Sequence, residues 1–251
     1  MRLTCISDIH LDCYRPSDNV KLLKDIGSSL DLGEVALIAG DLCEFGNQQS
    51  LNMAKEFMEQ FCQNFNKVIL INGNHDHWGT SISDIPTITN DTFGHIDNFV
   101  YLNNSSVVID DVMFYGGTLW FEDDDEWGNP YWIDYRQMRT DTAKSVRRSS
   151  KAFKKGLKAL DRHKGPKVVL SHHMPLVECV APEWMGFGTN KYFLNDCSKE
   201  IKEYSPNLWL LGHTHNPFDF QYEKSRIFCN PRCYDGENTN PQFIERMNTT
   251  L

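Results

Sequence analysis

Residues 67–76 read KVILINGNHD: an apolar run at 68–71 that ends in a cluster of amide, imidazole and carboxylate side chains. The same arrangement occurs at four other places, LTCISDIH (3–10), VALIAGDL (35–42), KVVLSHHMP (167–175) and LWLLGHTH (208–215). Short runs rich in Val, Ile and Leu without alternation fit strands covered on both faces, as in the parallel sheets of α/β proteins. Between them lie helix-like stretches. In QQSLNMAKEFMEQFCQNF (48–65), Leu51, Met53, Ala54, Phe57, Met58 and Phe61 recur at spacings of three and four, which aims one apolar stripe at a sheet. The segment from about 143 to 162 places Val146, Phe153, Leu157 and Leu160 on one face in the same way. Residues 99–116 read as two strands joined by a turn of Asn, Asp and Ser, and FDFQY and RIFCN near the C-terminus read as an antiparallel pair. The fold class expected is α/β, with mixed sheets sandwiched between helices.

Length and composition bound this reading. A chain of 251 residues is near the upper size of one hydrophobic core, so a single domain over 1–251 is expected, with two small domains as the alternative. No apolar run approaches the roughly 18 residues of a membrane span. The N-terminal MRLTCISDIH leaves no room for a charged region, an apolar region and a cleavage site, so the expected location is the cytoplasm. Eight cysteines in such a chain read as reduced thiols. The one close pair, Cys229 and Cys233, has no second pair with which to complete a structural zinc site.

In open α/β sheets ligands bind beyond the carboxyl ends of the strands, where neighbouring loops converge. His10, His75, His172, His213 and His215 stand at such ends, with Asp8, Asp41 and Asn74 at equivalent places. A lone His or Asp after a strand is commonly a turn or cap residue. Five coincident strand ends are hard to explain by turn chemistry alone. Imidazole, carboxylate and amide oxygen, with no thiolate, suit divalent Mn, Fe, Zn or Co. A cluster of this size exceeds one tetrahedral site and suits two metals that share a bridging carboxylate, an arrangement used for phosphoryl displacement.

The ordered blocks DIH (8–10), GD (40–41), GNHD (73–76), a strand-end His at 172 and GHTH (212–215) resemble the calcineurin-like metallophosphoesterase superfamily, and they extend over nearly the whole chain. Each block is weak alone; together they are specific. The resemblance implies a central β-sandwich flanked by helices, with a dinuclear centre above the sheet edges. One metal would take Asp8, His10, Asp41 and His215, and the other Asp41, Asn74, His172 and His213, so that Asp41 bridges. The two ions, Mn first among the candidates, would lower the pKa of a bridging water for in-line attack on a phosphate ester. His75 would then protonate the leaving group, and Asp76 would accept from its other ring nitrogen and fix the tautomer. His77 has no assigned role and reads as solvent-facing or packing.

Beyond the core motifs, GGTLWF (116–121), DYRQM (134–138) and CNPRCYDGEN (229–238) resemble segments of an uncharacterised bacterial branch of that superfamily, which has Gly where this chain has Cys233. Candidate substrate contacts are Arg232, His173 and Trp120. For each a structural role is the alternative: Arg232 anchoring the C-terminal loop, His173 on the rim, Trp120 covering the sandwich edge.

The net charge of −9 disfavours a general nucleic-acid binder. Charge is uneven, however. Residues 136–167 hold twelve of the 25 Lys and Arg and only two acids, which makes the segment +10 and the remainder −19. A solvated helix face and an anion-docking surface both fit. The acidic run EDDDE (122–126) reads as a solvated loop or as a partner of that helix. The leading functional expectation is a metal-dependent phosphoesterase acting on a small phosphate ester or nucleotide. A nuclease or protein phosphatase of the same superfamily, and an inactive interaction scaffold, are the alternatives; a scaffold would have lost ligands, and none of the seven positions is lost.

Overall fold

The computed structural model describes residues 1–29, 31–122, 131–139 and 142–251. Its strands are β1 (Arg2–Ile6), β2 (Val35–Ala39), β3 (Lys67–Ile71), β4 (Phe99–Tyr101), β5 (Ser105–Ile109), β6 (Val112–Gly116), β7 (Lys167–Leu170), β8 (Leu208–Leu211), β9 (Phe218–Tyr222), β10 (Ser225–Cys229) and β11 (Asn248–Thr250). The helices are α1 (Pro16–Gly27), α2 (Gln48–Phe61), α3 (Ile85–Phe93), α4 (Ile133–Gln137), α5 (Thr142–Gly156), α6 (Ser198–Tyr204) and α7 (Phe243–Arg246). Two mixed sheets form, one of five strands in the order β11-β1-β2-β3-β4 and one of six in the order β5-β6-β7-β8-β10-β9. Strands β1 to β4 run parallel, as do β6, β7, β8 and β10.

The non-alternating apolar runs are explained by the layers. In β2, Val35, Leu37 and Ala39 face the other sheet, while Ala36 and Ile38 join the core beneath α1, α2 and α3. Strand β8 divides likewise: Leu208 and Leu210 pack between the sheets, and Trp209 and Leu211 pack against α5 and α6. Each central strand is thus covered on both sides, and the order of layers is helices, sheet, sheet, helices, the α/β sandwich expected.

The stripe on α5 is buried as its period requires, with Val146, Phe153, Leu157 and Leu160 fully enclosed. The α-helix ends at Gly156 and continues as a 3-10 turn over Leu157–Arg162. A side chain at 156 would strike the Tyr115 ring, with Cζ 2.7 Å from the added carbon, while the Tyr115 hydroxyl donates to the Phe153 carbonyl at 2.8 Å. On the opposite face Lys144, Lys151, Lys155 and Lys158 are exposed. Lys154 is half-buried and pairs with Glu122 at 2.9 Å, so the first residue of the acidic run does meet the basic helix. Residues 123–126 of that run lie outside the described residues.

Residues 99–116 differ from expectation in forming three strands. β4 pairs with β3 in the first sheet, and the chain then crosses to the second sheet for the β5–β6 hairpin. The hairpin turn holds Asp110 and Asp111 at φ 47° and 63°, the left-handed pair that a two-residue hairpin loop needs and that Asp tolerates. The β9–β10 pair forms as expected, and β11 adds an unanticipated antiparallel edge to β1. All eight cysteines are free thiols, seven of them buried. Among the described residues no helix is long and apolar enough to cross a membrane.

Candidate metal centre

The carboxyl ends of β1, β2 and β3 in one sheet and of β7 and β8 in the other meet at the same edge of the sandwich. The backbone there is unusual. Asp8, His10, Asp41, His213 and His215 all have left-handed φ, between 44° and 68°. This conformation costs a non-glycine residue about 1–2 kcal/mol, so five together require support from their surroundings. Support comes from cross-loop bonds: the Asp8 and His10 N–H groups donate to the carbonyls of Gly40 and Asp41, each at 3.0 Å, and the His213 N–H donates to Asp8 Oδ1 at 2.9 Å. Glycine is needed where these loops touch. A side chain at Gly40, itself at φ 87°, would lie 2.5 Å from the Gly73 nitrogen and 2.6 Å from His172 Nδ1.

The side chains so aimed converge on one another. His10 Nε2 is 3.1 Å from His215 Nε2 and 3.6 Å from Asp41 Oδ2; the same Asp41 oxygen meets His172 Nε2 at 3.3 Å. His172 Nε2 lies 2.9 Å from Asn74 Oδ1, and His215 Nε2 lies 3.5 Å from Asp8 Oδ1. Asp41 therefore stands between two ligand groups. Donor atoms of Asp8, Asp41 and His172 lie within 4.8 Å of one another, as do those of Asp8, His10 and His215. Asp8 Oδ2 and His213 Nε2 are buried without a partner among the described residues, a loss of about 1–3 kcal/mol apiece unless another group meets them. A nitrogen-and-oxygen donor set with such unmet lone pairs fits divalent cations of the Mn, Fe, Zn or Co type.

Charge at the centre is balanced by protons on two histidines. Burial pushes the His172 imidazole down, but Asp41 overrides it and holds the pKa up at about 9. For His215 burial is overridden by Asp8 and then Glu237, again to about 9. Burial would raise the carboxyls of Asp8 and Asp41, and the neighbouring imidazoles hold both below the usual range instead. Burial takes His10 down to about 3. The consequence is testable. A metal requires neutral imidazole, so in metal-stripped protein it must displace the protons held by His172 and His215. Binding near pH 7 is expected to release protons, and affinity to rise with pH until it levels off above about 9. Calorimetric titration in buffers of different ionisation enthalpy measures the proton release; a null result would place those protons elsewhere.

The residues of GNHD divide their work differently from expectation. Asp76 does not touch His75. Its carboxylate is filled by four backbone donors, Gly73 N at 2.7 Å, Leu42 N at 2.9 Å, Asp41 N at 3.0 Å and Cys43 N at 3.1 Å. It fastens the loop after β2 to the loop after β3. The orienting partner of His75 is Tyr234, whose hydroxyl lies 2.8 Å from His75 Nε2. The His75 ring also stacks on Trp78 with centroids 3.7 Å apart, and its backbone N–H donates to Asp41 Oδ1 at 2.9 Å. His77 is a packing residue, buried with Nδ1 2.7 Å from the Gly73 carbonyl.

The structure packs the three candidate substrate contacts against the protein itself. The Arg232 guanidinium donates to Asn19 Oδ1 at 2.7 Å and lies over the Tyr14 ring at 3.5 Å, which anchors the C-terminal loop to α1. Trp120 is fully buried against His173, His77 and Phe121. His173 is fully buried rather than on the rim, and burial takes its pKa down to about 3; this uncharged ring packs on His213 at 4.3 Å. Sequence reasoning missed Tyr234, Glu237, which accepts from or shares a proton with His215 Nδ1 at 2.7 Å, and Asp134, which meets Asn74 Nδ2 at 2.9 Å. The first two belong to CNPRCYDGEN and the third to DYRQM, so segment-level similarity was the available signal. Cys233, where glycine is usual in that segment, still adopts φ 73°, and its Sγ lies 3.0 Å from Thr239 Oγ1.

Comparison with known proteins agrees with this fold. The family model for calcineurin-like phosphoesterases matches residues 1–217. An uncharacterized protein of Acanthamoeba polyphaga mimivirus, L509, is 26% identical over 267 residues, covering 95% of this chain and 93% of that protein. Phosphopantetheinyl hydrolase from Mycobacterium tuberculosis has the same fold, with a TM-score of 0.70 at 14% identity over 94% of this chain and 93% of the other. The purple acid phosphatase of yellow lupin seeds aligns with a TM-score of 0.54 at 14% identity over 95% of this chain, which spans 46% of that enzyme.

Proposed function

The chain belongs to the calcineurin-like phosphoesterase family, and from that premise we propose that it hydrolyses small phosphate mono- or diesters, nucleotides among them, at a dinuclear metal centre. Asp8, His10, Asp41 and His215 would hold one ion, and Asp41, Asn74, His172 and His213 the other. Two such ions, manganese in the first place, would supply Lewis-acid charge to the phosphoryl oxygens and lower the pKa of a coordinated water. The observation that carries the reading is the convergence of Asp8, Asp41 and His172 within 4.8 Å, beside the unpartnered Asp8 Oδ2 and His213 Nε2.

The remaining work falls to the chain's own side chains. His75, pinned between the Trp78 ring and the Tyr234 hydroxyl, is held over Asp41 and can hold a proton for the leaving oxygen. Arg232 is committed to Asn19 and Tyr14, so the positive charge that receives a phosphate would come from the ions. A cytoplasmic site of action is part of the same proposal. A hydrolysis panel tests the reading: Mn-loaded protein with p-nitrophenyl phosphate, bis-p-nitrophenyl phosphate, cyclic nucleotides, single-stranded DNA and RNA. No turnover on any phosphate ester would defeat it.

One observation favours a nuclease as the second reading, the exposed basic face of α5. Reversing Lys151, Lys155 and Lys158 is expected to leave kcat/KM on small esters unchanged. A loss confined to DNA or RNA, with a flatter dependence on salt because fewer counterions are released, would select the nuclease.

A further inference from the structure

Asp134 is fully buried at the start of α4, and its carboxylate receives three side-chain donors. Oδ1 accepts from Asn74 Nδ2 and from the Trp78 indole N–H, each at 2.9 Å, and Oδ2 accepts from the Trp132 indole N–H at 2.9 Å. Asn74 is the centre's amide ligand, and Trp78 is the ring on which His75 stacks.

An amide side chain is nearly symmetric in shape and opposite in chemistry at its two ends. Oxygen coordinates a cation and NH₂ cannot. Asn74 therefore serves as a ligand only if its oxygen faces His172 and its nitrogen faces away. A carboxylate behind it imposes this orientation, because it accepts from nitrogen and repels oxygen. We propose that Asp134 is a positioning residue that fixes the orientation of the Asn74 amide and, through Trp78, the seat of His75. The inference rests on the reading of Asn74 as a ligand. The fold carries Asp134 to this place by a route local to the site: the Gly79 N–H donates to the Gln137 carbonyl at 2.9 Å and the Arg139 N–H to the Thr80 carbonyl at 2.7 Å, so the α4 segment is sewn to the loop that follows GNHD.

The test is metal content together with the polarity of the bond. Wild-type protein, stripped and reloaded with Mn, is expected to retain two ions per chain after desalting. Asp134→Asn keeps the shape but offers Asn74 a donor as readily as an acceptor. It is expected to bind one of the two ions about 10- to 100-fold more weakly, the usual effect of losing a partner behind a ligand. Asn74→Ala is expected to lose the same ion. The decisive variant is the exchange Asn74→Asp with Asp134→Asn, in which residue 134 now donates and residue 74 accepts. It is expected to regain the second ion, whereas the Trp78 indole resonance in a ¹⁵N–¹H spectrum stays shifted, because the oxygen that Trp78 shares with Asn74 is replaced by an NH₂ group that cannot accept. Because a carboxylate at 74 presents oxygen at either end, the exchange is read against Asn74→Asp alone, which sets two carboxylates against each other: tighter binding of the second ion by the exchange is expected, and equal binding in the two would overturn the positioning role.

If Asn74→Ala loses an ion and Asp134→Asn binds both as tightly as wild type, the positioning role is overturned and the ligand reading stands. If Asn74→Ala keeps both ions, the ligand reading falls and the inference with it. Should Asp134→Asn fail to fold, as circular dichroism would report, the exchanged pair decides: a folded exchange that holds one ion overturns the proposal.

Discussion

Protein treated with a chelator is expected to show no phosphoesterase activity above background, and Mn or Co is expected to restore it. The His, Asp and Asn side chains that the strand ends bring together are of ligand type, and the cation that sequence similarity offered for phosphate, Arg232, is turned to Asn19. Without metal the centre has two carboxylates, Asp8 and Asp41, held ionised by histidine protons, a poor place for a phosphate anion. Asp41→Asn should act on both ions together, because Asp41 Oδ2 lies 3.6 Å from His10 Nε2 and 3.3 Å from His172 Nε2. The measurement is turnover beside elemental analysis across a metal titration. Full activity in protein shown to be metal-free would remove the mechanism, and loss of one equivalent alone in Asp41→Asn would show that the bridge lies elsewhere.

The candidate ligand set could be read from sequence because each proposed member follows closely on a strand that announces itself. Five uninterrupted apolar runs mark five buried strands, and a parallel sheet brings their carboxyl ends to one edge. Asp8, Asp41, Asn74, His172 and His215 needed no knowledge of which strand neighbours which. Partners of these residues follow a different rule. Tyr234 reaches His75 across 159 positions of sequence, and Asp134 reaches Asn74 across 60. Neither position is fixed by periodicity, since both lie in irregular or short elements whose placement is decided by packing. The error over Asp76 has the same origin. Adjacent residues on a tight 3-10 turn, His75–His77, point in different directions, so proximity in sequence argued against the contact inferred from it. β4 was misread because three residues of apolar sequence cannot indicate that the chain changes sheets after them.

GNHD supplies a ligand and a candidate proton donor side by side, and replacing them should fail in different ways. Asn74→Ala should lower the occupancy of one ion. His75→Ala should keep both ions, yet lose about 10² to 10⁴ in rate on alkyl phosphate esters, whose alkoxide must be protonated as it departs. On p-nitrophenyl phosphate the same variant should lose far less, because p-nitrophenolate leaves without a proton. Tyr234→Phe removes the hydroxyl 2.8 Å from His75 Nε2 but leaves the ring stacked on Trp78, so its loss should follow the same dependence on leaving group with a smaller amplitude. A second outcome has its own geometric basis. Donor atoms of His75, His10 and Asp41 also lie within 4.8 Å of one another, near enough for His75 to be a ligand. Elemental analysis of His75→Ala distinguishes the two: a lost ion makes His75 a ligand, whereas two retained ions with equal losses on good and poor leaving groups make it a charge that positions the phosphate. Only retained ions with a loss that grows as the leaving group worsens assign it the proton.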